Sequence, residues 1–327
     1  MRYGIVTCGT HKMSVITKLT KHELESFLSD FNLAPLTDYR EIPEGTVNTN
    51  YFVEARDQNY ILSLFEHLNL NTARQYLKLT QFLHNQQLPC ATPAYNKHGE
   101  LTQLLKGKPT AVVSFLPGDN IITPNANHCF AIGEFLAKMH LCTQNYSPQI
   151  ANPMGVTWRS QHAHELMPTF STPEQELLQQ GLYLQTQIPW RKLPHAMIHY
   201  DLFRDNALFT KDKLTGVFDF YYGCFDAMLL DIAICLNDWC TNWQDKALSL
   251  NQNLTQHLIA GYQSQRSLNN IERTQILPMV QLMAFHFWVT RATSQKNPVQ
   301  GPRVTTKSPA EFRMIFKNRL SMEGIQI

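Results

Sequence analysis

The sequence predicts an α+β chain in two lobes, a small antiparallel-sheet N-terminal lobe followed by a mostly helical C-terminal lobe. Three observations point there. Two strand-like runs flank the turn-like Arg56-Asp57-Gln58-Asn59, helical apolar spacing dominates the chain beyond Pro117-Gly118, and 327 residues that are 43% hydrophobic and 17% charged can bury a core large enough to divide in two.

Residues 1–12 show no periodicity and precede a second candidate start at Met13-Ser14-Val15, so they are read as an N-terminal extension, with a foreign remnant and a start placed too early as the open alternatives. Thr20 followed by Glu23 has capping-box spacing, and Leu24, Phe27, Leu28 and Phe31 recur at helical intervals, which predicts a short amphipathic helix packed on a sheet. Residues 46–53 and 60–65 alternate in the manner of strands and predict an antiparallel hairpin. Residues 72–88 place Ala73, Tyr76, Leu77, Thr80 and Leu83 on one face and stop before Pro89, as a helix should. Residues 111–116 read as a buried strand. It ends at Pro117-Gly118, which sets the expected boundary between an N-terminal lobe of residues 13–116 and a C-terminal lobe of residues 117–327. Helical spacing then runs through residues 127–142, 173–187, 227–239, 247–263 and 271–292, interrupted only by short strands and loops between Met197 and Tyr222.

Charge and cysteine content narrow the class of function. A net charge of +2, from 28 basic and 26 acidic residues scattered along the chain, makes no field suited to nucleic acid or to a membrane surface. The seven cysteines include no C-x-x-C pair and read as reduced, mostly buried thiols. With no apolar run long enough to span a bilayer and no secretory signal, the expected location is cytoplasmic. The sequence carries no signal for an oligomeric state.

The chemistry concentrates in one string, His199-Tyr200-Asp201-Leu202-Phe203-Arg204-Asp205-Asn206, followed by Val217-Phe218-Asp219-Phe220. It has the H-x-D-x-x-x-x-N spacing and the later metal-binding aspartate of kinase catalytic loops. Phosphoryl transfer needs a carboxylate to orient the attacking hydroxyl and accept its proton, a role that suits Asp201. It also needs oxygen ligands for Mg²⁺ against crowded phosphates, which suits Asn206 and Asp219. The competing reading is a turn rich in Asp and Asn whose side chains only cap backbone groups. The distance of Asp219 from the loop, at the end of an apolar strand, favours the first. His199 reads as a structural, hydrogen-bonded residue.

The sequence resembles the aminoglycoside phosphotransferase and choline kinase superfamily, relatives of the protein kinases, and within it the kinase-like bacterial homoserine kinases. The residues that carry the likeness are Met13-Ser14-Val15 through the helix at residues 24–33, Gly45-Thr46-Val47-Asn48-Thr49-Asn50-Tyr51-Phe52-Val53, Leu62-Ser63-Leu64-Phe65-Glu66, Phe115-Leu116-Pro117-Gly118, the loop from His199 to Asn206, and Asn237-Asp238-Trp239-Cys240. The resemblance implies a two-lobe protein-kinase-like fold, ATP and Mg²⁺ as cofactors, and a small-molecule acceptor, L-homoserine. Choline, ethanolamine, methylthioribose or an aminoglycoside as acceptor, and a catalytically silent nucleotide-binding protein, stay open as alternatives.

On that likeness, Gly45, Thr46, Asn48, Thr49 and Asn50 would cover the phosphates, backbone groups at Ser114 and Leu116 would hold adenine, and Asp231 would fix the catalytic loop. One departure stands out. Ser63 occupies the strand position of the usual ATP-binding lysine, and residues 72–88 hold no acidic partner for one. A free amino acid needs a cation for its carboxylate and an anion for its ammonium. Arg204 is the first candidate, and Asp226, Asp238, Trp239 and Arg291 follow. Phe285, Phe287 and Trp288 read as core, as does Trp239 in the competing reading.

Overall fold

A computed structural model describes residues 17–42, 48–296 and 308–326. The extension at residues 1–12, the Met13 start, and the phosphate-loop candidates Gly45 and Thr46 lie outside the described residues.

The chain packs as two compact units, one made of the described residues up to Arg74 with Pro93–Phe115, the other of Gln75–Thr92 with the described residues from Leu116 onward. In the first, α1 (Lys21–Asp30) opens on the capping box read from the sequence. Thr20 accepts from the Glu23 amide, and Glu23 accepts in return from the amide of Thr20 at 2.8 Å. Strands β1 (Leu36–Ile42), β2 (Thr49–Ala55) and β3 (Gln58–Leu64) follow, then α2 (Leu70–Asn85), which belongs to the second unit from Gln75 on, and β4 (Gln103–Leu105) and β5 (Lys108–Ser114). The strands form one antiparallel sheet in the order β1-β2-β3-β5-β4. Tyr51, Val53, Leu62, Leu64 and Val112 alternate onto one face and pack against Leu24, Phe27 and Leu28 of α1. The register places Arg40, Asn50, Phe52, Ile61, Ser63, Ala111 and Val113 on the other face.

The base of the β2–β3 hairpin is pinned by ions. Glu66 is buried and accepts from the hydroxyls of Thr17 at 2.8 Å and Thr49 at 2.5 Å, and it pairs with Lys108.

The second unit is mostly helical. Its elements in chain order are α3 (Ala126–Thr143), α4 (Val156–Leu166), α5 (Thr172–Gln187), β6 (His195–Ile198), β7 (Ala207–Thr210), β8 (Lys213–Val217), β9 (Cys224–Ala227), α6 (Leu229–Trp239), α7 (Gln252–Gln263), α8 (Asn270–Lys296) and α9 (Pro309–Leu320). Two short antiparallel ribbons, β6 with β9 and β7 with β8, hold the loops between them. Every residue of α6 is buried, which matches its continuous apolar sequence. No helix among the described residues is long and apolar enough to cross a membrane.

Helices α3 and α7 touch backbone to backbone. A Cβ built on Gly133 would lie 2.0 Å from the carbonyl oxygen of Leu258, and one on Gly261 would lie 2.0 Å from that of Phe130. Since neither obstacle is a side chain able to turn aside, Gly133→Ala forces the helices apart. The expected cost is about 3 kcal/mol, seen as a Tm lower by roughly 6–12 °C in scanning calorimetry.

Candidate active site

Ribbon β6 ends at Ile198, and the chain leaves it through His199, Tyr200 and Asp201 before a single helical turn, Arg204–Asn206, returns it to β7. Tyr200 sits in the left-handed region at φ 66°, a conformation that a non-glycine residue keeps only when its surroundings impose it. Asp231, buried on α6, does so. One carboxylate oxygen accepts from the Tyr200 amide at 2.7 Å, and the other accepts from the His199 amide at 2.8 Å and from His140 Nε2 at 3.1 Å. His140 Nδ1 in turn meets the Tyr262 hydroxyl at 2.9 Å.

His199 is fully buried and spans the loop. Its Nδ1 accepts from the Asp201 amide at 3.2 Å, so its Nε2 carries the proton and donates to the Phe218 carbonyl at 3.0 Å. Burial pushes this imidazole, and that of His286, below the ordinary value of 6.5, although Asp231 pulls His199 the other way. The sign follows from proton counting. Below about pH 6.5 the unfolded chain protonates both imidazoles while the native protein leaves them neutral, so the stability they contribute is complete above that value and lost below it. Tm in calorimetric scans is expected to fall between about pH 7 and about pH 5, and to fall less in His286→Phe.

Asp201 and Asn206 are in contact. The Asn206 side-chain amide donates to the Asp201 carbonyl at 2.7 Å and to its carboxylate at 3.2 Å. The Asn206 carbonyl accepts from the Phe218 amide at 3.2 Å, which ties Asp219 to the same loop. Asp219 itself is left-handed, at φ 63°, where β8 ends. Burial, then the charges of Asp201 and Asp219, push the Tyr222 phenol up. Asp201 and Asn206 are thus brought into contact, and Asp219 follows the residue whose amide is tied to Asn206.

The donor set fits a magnesium ion. With its Nδ2 turned to Asp201, Asn206 keeps its Oδ1 clear of hydrogen bonds among the described residues. No group of three or more His, Cys, Asp or Glu able to hold a metal occurs among those residues. An amide oxygen and one or two carboxylates is the short list a hard cation uses when it keeps several waters and shares phosphate oxygens.

The other expected site residues lie as follows. In the first unit, Asn48 Oδ1 is buried without a hydrogen-bond partner among the described residues, whereas the Thr49 hydroxyl is spent on Glu66. Asn50 Oδ1 accepts from Ser63 at 2.7 Å, on the sheet face where Arg40 lies 4.3 Å from the Phe52 ring centre. Ser114 ends β5 opposite Tyr60. In the second unit, a Cβ on Gly216 would meet Leu116 at 2.9 Å.

Arg204, the first candidate for a substrate carboxylate, is fully engaged. Its Nε and Nη2 grip Asp238 at 3.0 and 3.3 Å, its Nη1 donates to the Ile122 carbonyl at 2.6 Å, and it stacks on Trp243. Burial raises the Asp238 carboxyl above its usual range, while Arg204 opposes the shift. Trp239 has no exposed surface and donates to the Leu202 carbonyl at 3.0 Å. Arg291 is held by Glu311 and the Ser308 carbonyl, at 2.7 and 3.1 Å. Asp226 is half-buried and accepts from Asn152 at 2.7 Å. His140 was not singled out by the sequence reading. Its one signal is a histidine on the mostly apolar inner face of α3.

A model of the phosphotransferase enzyme family matches residues 38–266, well over half of the chain. The chain belongs to that family. Among its relatives, this phosphotransferase is 35% identical over 309 residues to the homoserine kinase of Methylobacillus flagellatus, spanning 94% of this chain and 96% of that one. It is 34% identical over 313 residues to the homoserine kinase of Polaromonas naphthalenivorans, spanning 94% and 98%. Among solved structures, the phosphotransferase resembles amicoumacin kinase hAmiN, in complex with AMP-PNP and Ca²⁺, with a TM-score of 0.67 over 91% of this chain and 92% of that one at 17% identity. That likeness is one of fold, and the α+β, protein-kinase-like class expected from the sequence is the class observed.

Proposed function

We propose that the chain is a cytoplasmic enzyme that transfers the γ-phosphoryl group of ATP to the side-chain hydroxyl of L-homoserine, giving O-phosphohomoserine for threonine synthesis. The observation that carries this reading is identity with homoserine kinases along nearly the whole chain, 35% and 34% over 94% of its length. The site supplies matching chemistry.

Asp201, aimed by the clamped Tyr200 turn, orients the acceptor hydroxyl and takes its proton as the oxygen–phosphorus bond forms. Asn206 and Asp219 would hold Mg²⁺, which when bound draws charge from the phosphate oxygens. The hairpin loop at residues 44–50, with Gly45, Thr46, Asn48, Thr49 and Asn50, covers the phosphates through backbone groups, and the backbone at Ser114 and Leu116 receives adenine. Among the described residues, Arg40 is the one cation that the sheet strands place on the face carrying Ser63, which offers positive charge where the usual lysine is missing.

Coupled ADP-release assays across homoserine, choline, ethanolamine, methylthioribose and an aminoglycoside test the acceptor. Homoserine is expected to exceed the others in kcat/KM by at least about 100-fold. Turnover confined to one of the others would overturn the reading.

A further inference from the structure

Arg159 of α4 is a buried cation with no anion. It is 1% exposed, and its acceptors among the described residues are all neutral: the Tyr200 hydroxyl at 3.1 Å, the Met154 carbonyl at 3.3 Å and Gln185 Oε1 at 3.3 Å. Buried charges are ordinarily paired, because removal from water costs several kcal/mol that only an opposite charge restores. A second group, one with no hydrogen-bond partner among the described residues, lies against Tyr200. The His286 ring, on α8, is centred 5.2 Å from the Tyr200 ring, and its Nδ1 is buried without a hydrogen-bond partner among the described residues. A carboxylate is a ligand group able to satisfy a guanidinium and an imidazole N–H together.

A carboxylate of opposite sign to Arg159, that of Asp226 on β9, is linked to it through Asn152 and Met154. Asn152 donates to Asp226 at 2.7 Å and accepts from the Met154 amide at 2.8 Å, while the Met154 carbonyl receives both Arg159 and the Tyr200 hydroxyl. Asp226 spends two acceptor positions, on Asn152 and on the Ala227 amide at 2.7 Å, which leaves room for an ammonium. Arg159 and Asp226 therefore flank Tyr200, whose neighbour in the chain is Asp201. Burial pushes the Tyr200 phenol up to about 12, with Arg159 lowering it and Asp226 raising it.

We infer that Arg159, with His286, binds the α-carboxylate of the acceptor and Asp226 binds its α-ammonium, so that the acceptor is a zwitterionic amino acid presenting its side-chain hydroxyl to Asp201. This rests on the homoserine reading and replaces Arg204 and Arg291, both engaged elsewhere, as the carboxylate ligand. Half-buried Trp158 and Asp226 border the cluster.

Steady-state kinetics on L-homoserine, on 3-aminopropan-1-ol, which lacks the carboxylate, and on 4-hydroxybutyrate, which lacks the ammonium, test the assignment. Arg159→Met is expected to raise the homoserine KM by ~100-fold and to change kcat/KM for 3-aminopropan-1-ol less than about 3-fold. Asp226→Asn is expected to raise the homoserine KM and spare 4-hydroxybutyrate, the crossed pattern that a purely structural loss does not produce. An equal loss on homoserine and 3-aminopropan-1-ol in folded Arg159→Met would overturn the inference while leaving the homoserine reading standing. If that variant does not fold, wild-type selectivity decides: homoserine ahead of each analogue by at least about 10³-fold supports the handle, and parity with 3-aminopropan-1-ol refutes it. Wild-type enzyme that turns over none of the three removes the homoserine reading and the inference with it.

Discussion

Asp201→Asn is expected to lower kcat by about 10³-fold while leaving the dissociation constant for ATP within a factor of a few. The substitution keeps the shape of the side chain and its ability to accept from Asn206, now at 3.2 Å from the carboxylate. What it removes is the negative charge proposed to orient the acceptor hydroxyl and receive its proton. Because the nucleotide contacts proposed for this chain lie elsewhere, equilibrium binding of a nucleotide analogue separates the two effects. A variant retaining a tenth or more of wild-type kcat would show that the proton leaves by another route.

Asp231→Ala carries the second large effect, through a residue that touches no substrate. Removing the carboxylate strands two backbone amides and one imidazole, all buried, at the point where Tyr200 is held left-handed. Breaking such a network costs about 3–5 kcal/mol, and a relaxed Tyr200 mis-aims Asp201, where a displacement near 1 Å costs about 100-fold in rate. Urea unfolding at neutral pH is expected to show the lower midpoint, and kinetics on the folded fraction the lower kcat with little change in the ATP KM. Normal kcat in a stable variant would detach Asp231 from the aim of the loop.

The contrast between these two residues shows what the sequence made legible. Asp201, Asn206 and Asp219 stand close in the chain at spacings set by one loop and one strand, so local pattern was enough to nominate them. Helices with a clean apolar stripe, such as α1 and α2, were equally plain. Helix α4 was not, because its buried positions are Arg159, Ala163 and Leu166 within an otherwise polar run, which leaves a periodicity reading nothing to find. Strand β9 and the half-strand β4 are too short to signal themselves. Arg204 and Arg159 mark the limit from the other side. A charged residue close in the chain to the loop aspartate invites a substrate role, yet Asp238, thirty-four positions on, claims it. The arginine that lacks an anion is revealed only when burial and partners are counted in three dimensions.

The claim beneath all of this is that one loop aspartate directs a hydroxyl at a phosphorus held by its neighbours. ³¹P NMR of the wild-type protein with ATP, Mg²⁺ and L-homoserine measures it directly. The predicted result is a phosphomonoester resonance, split by the adjacent methylene protons, growing in step with ADP. Inorganic phosphate as the sole new species, or ATP left intact beside homoserine, would contradict it.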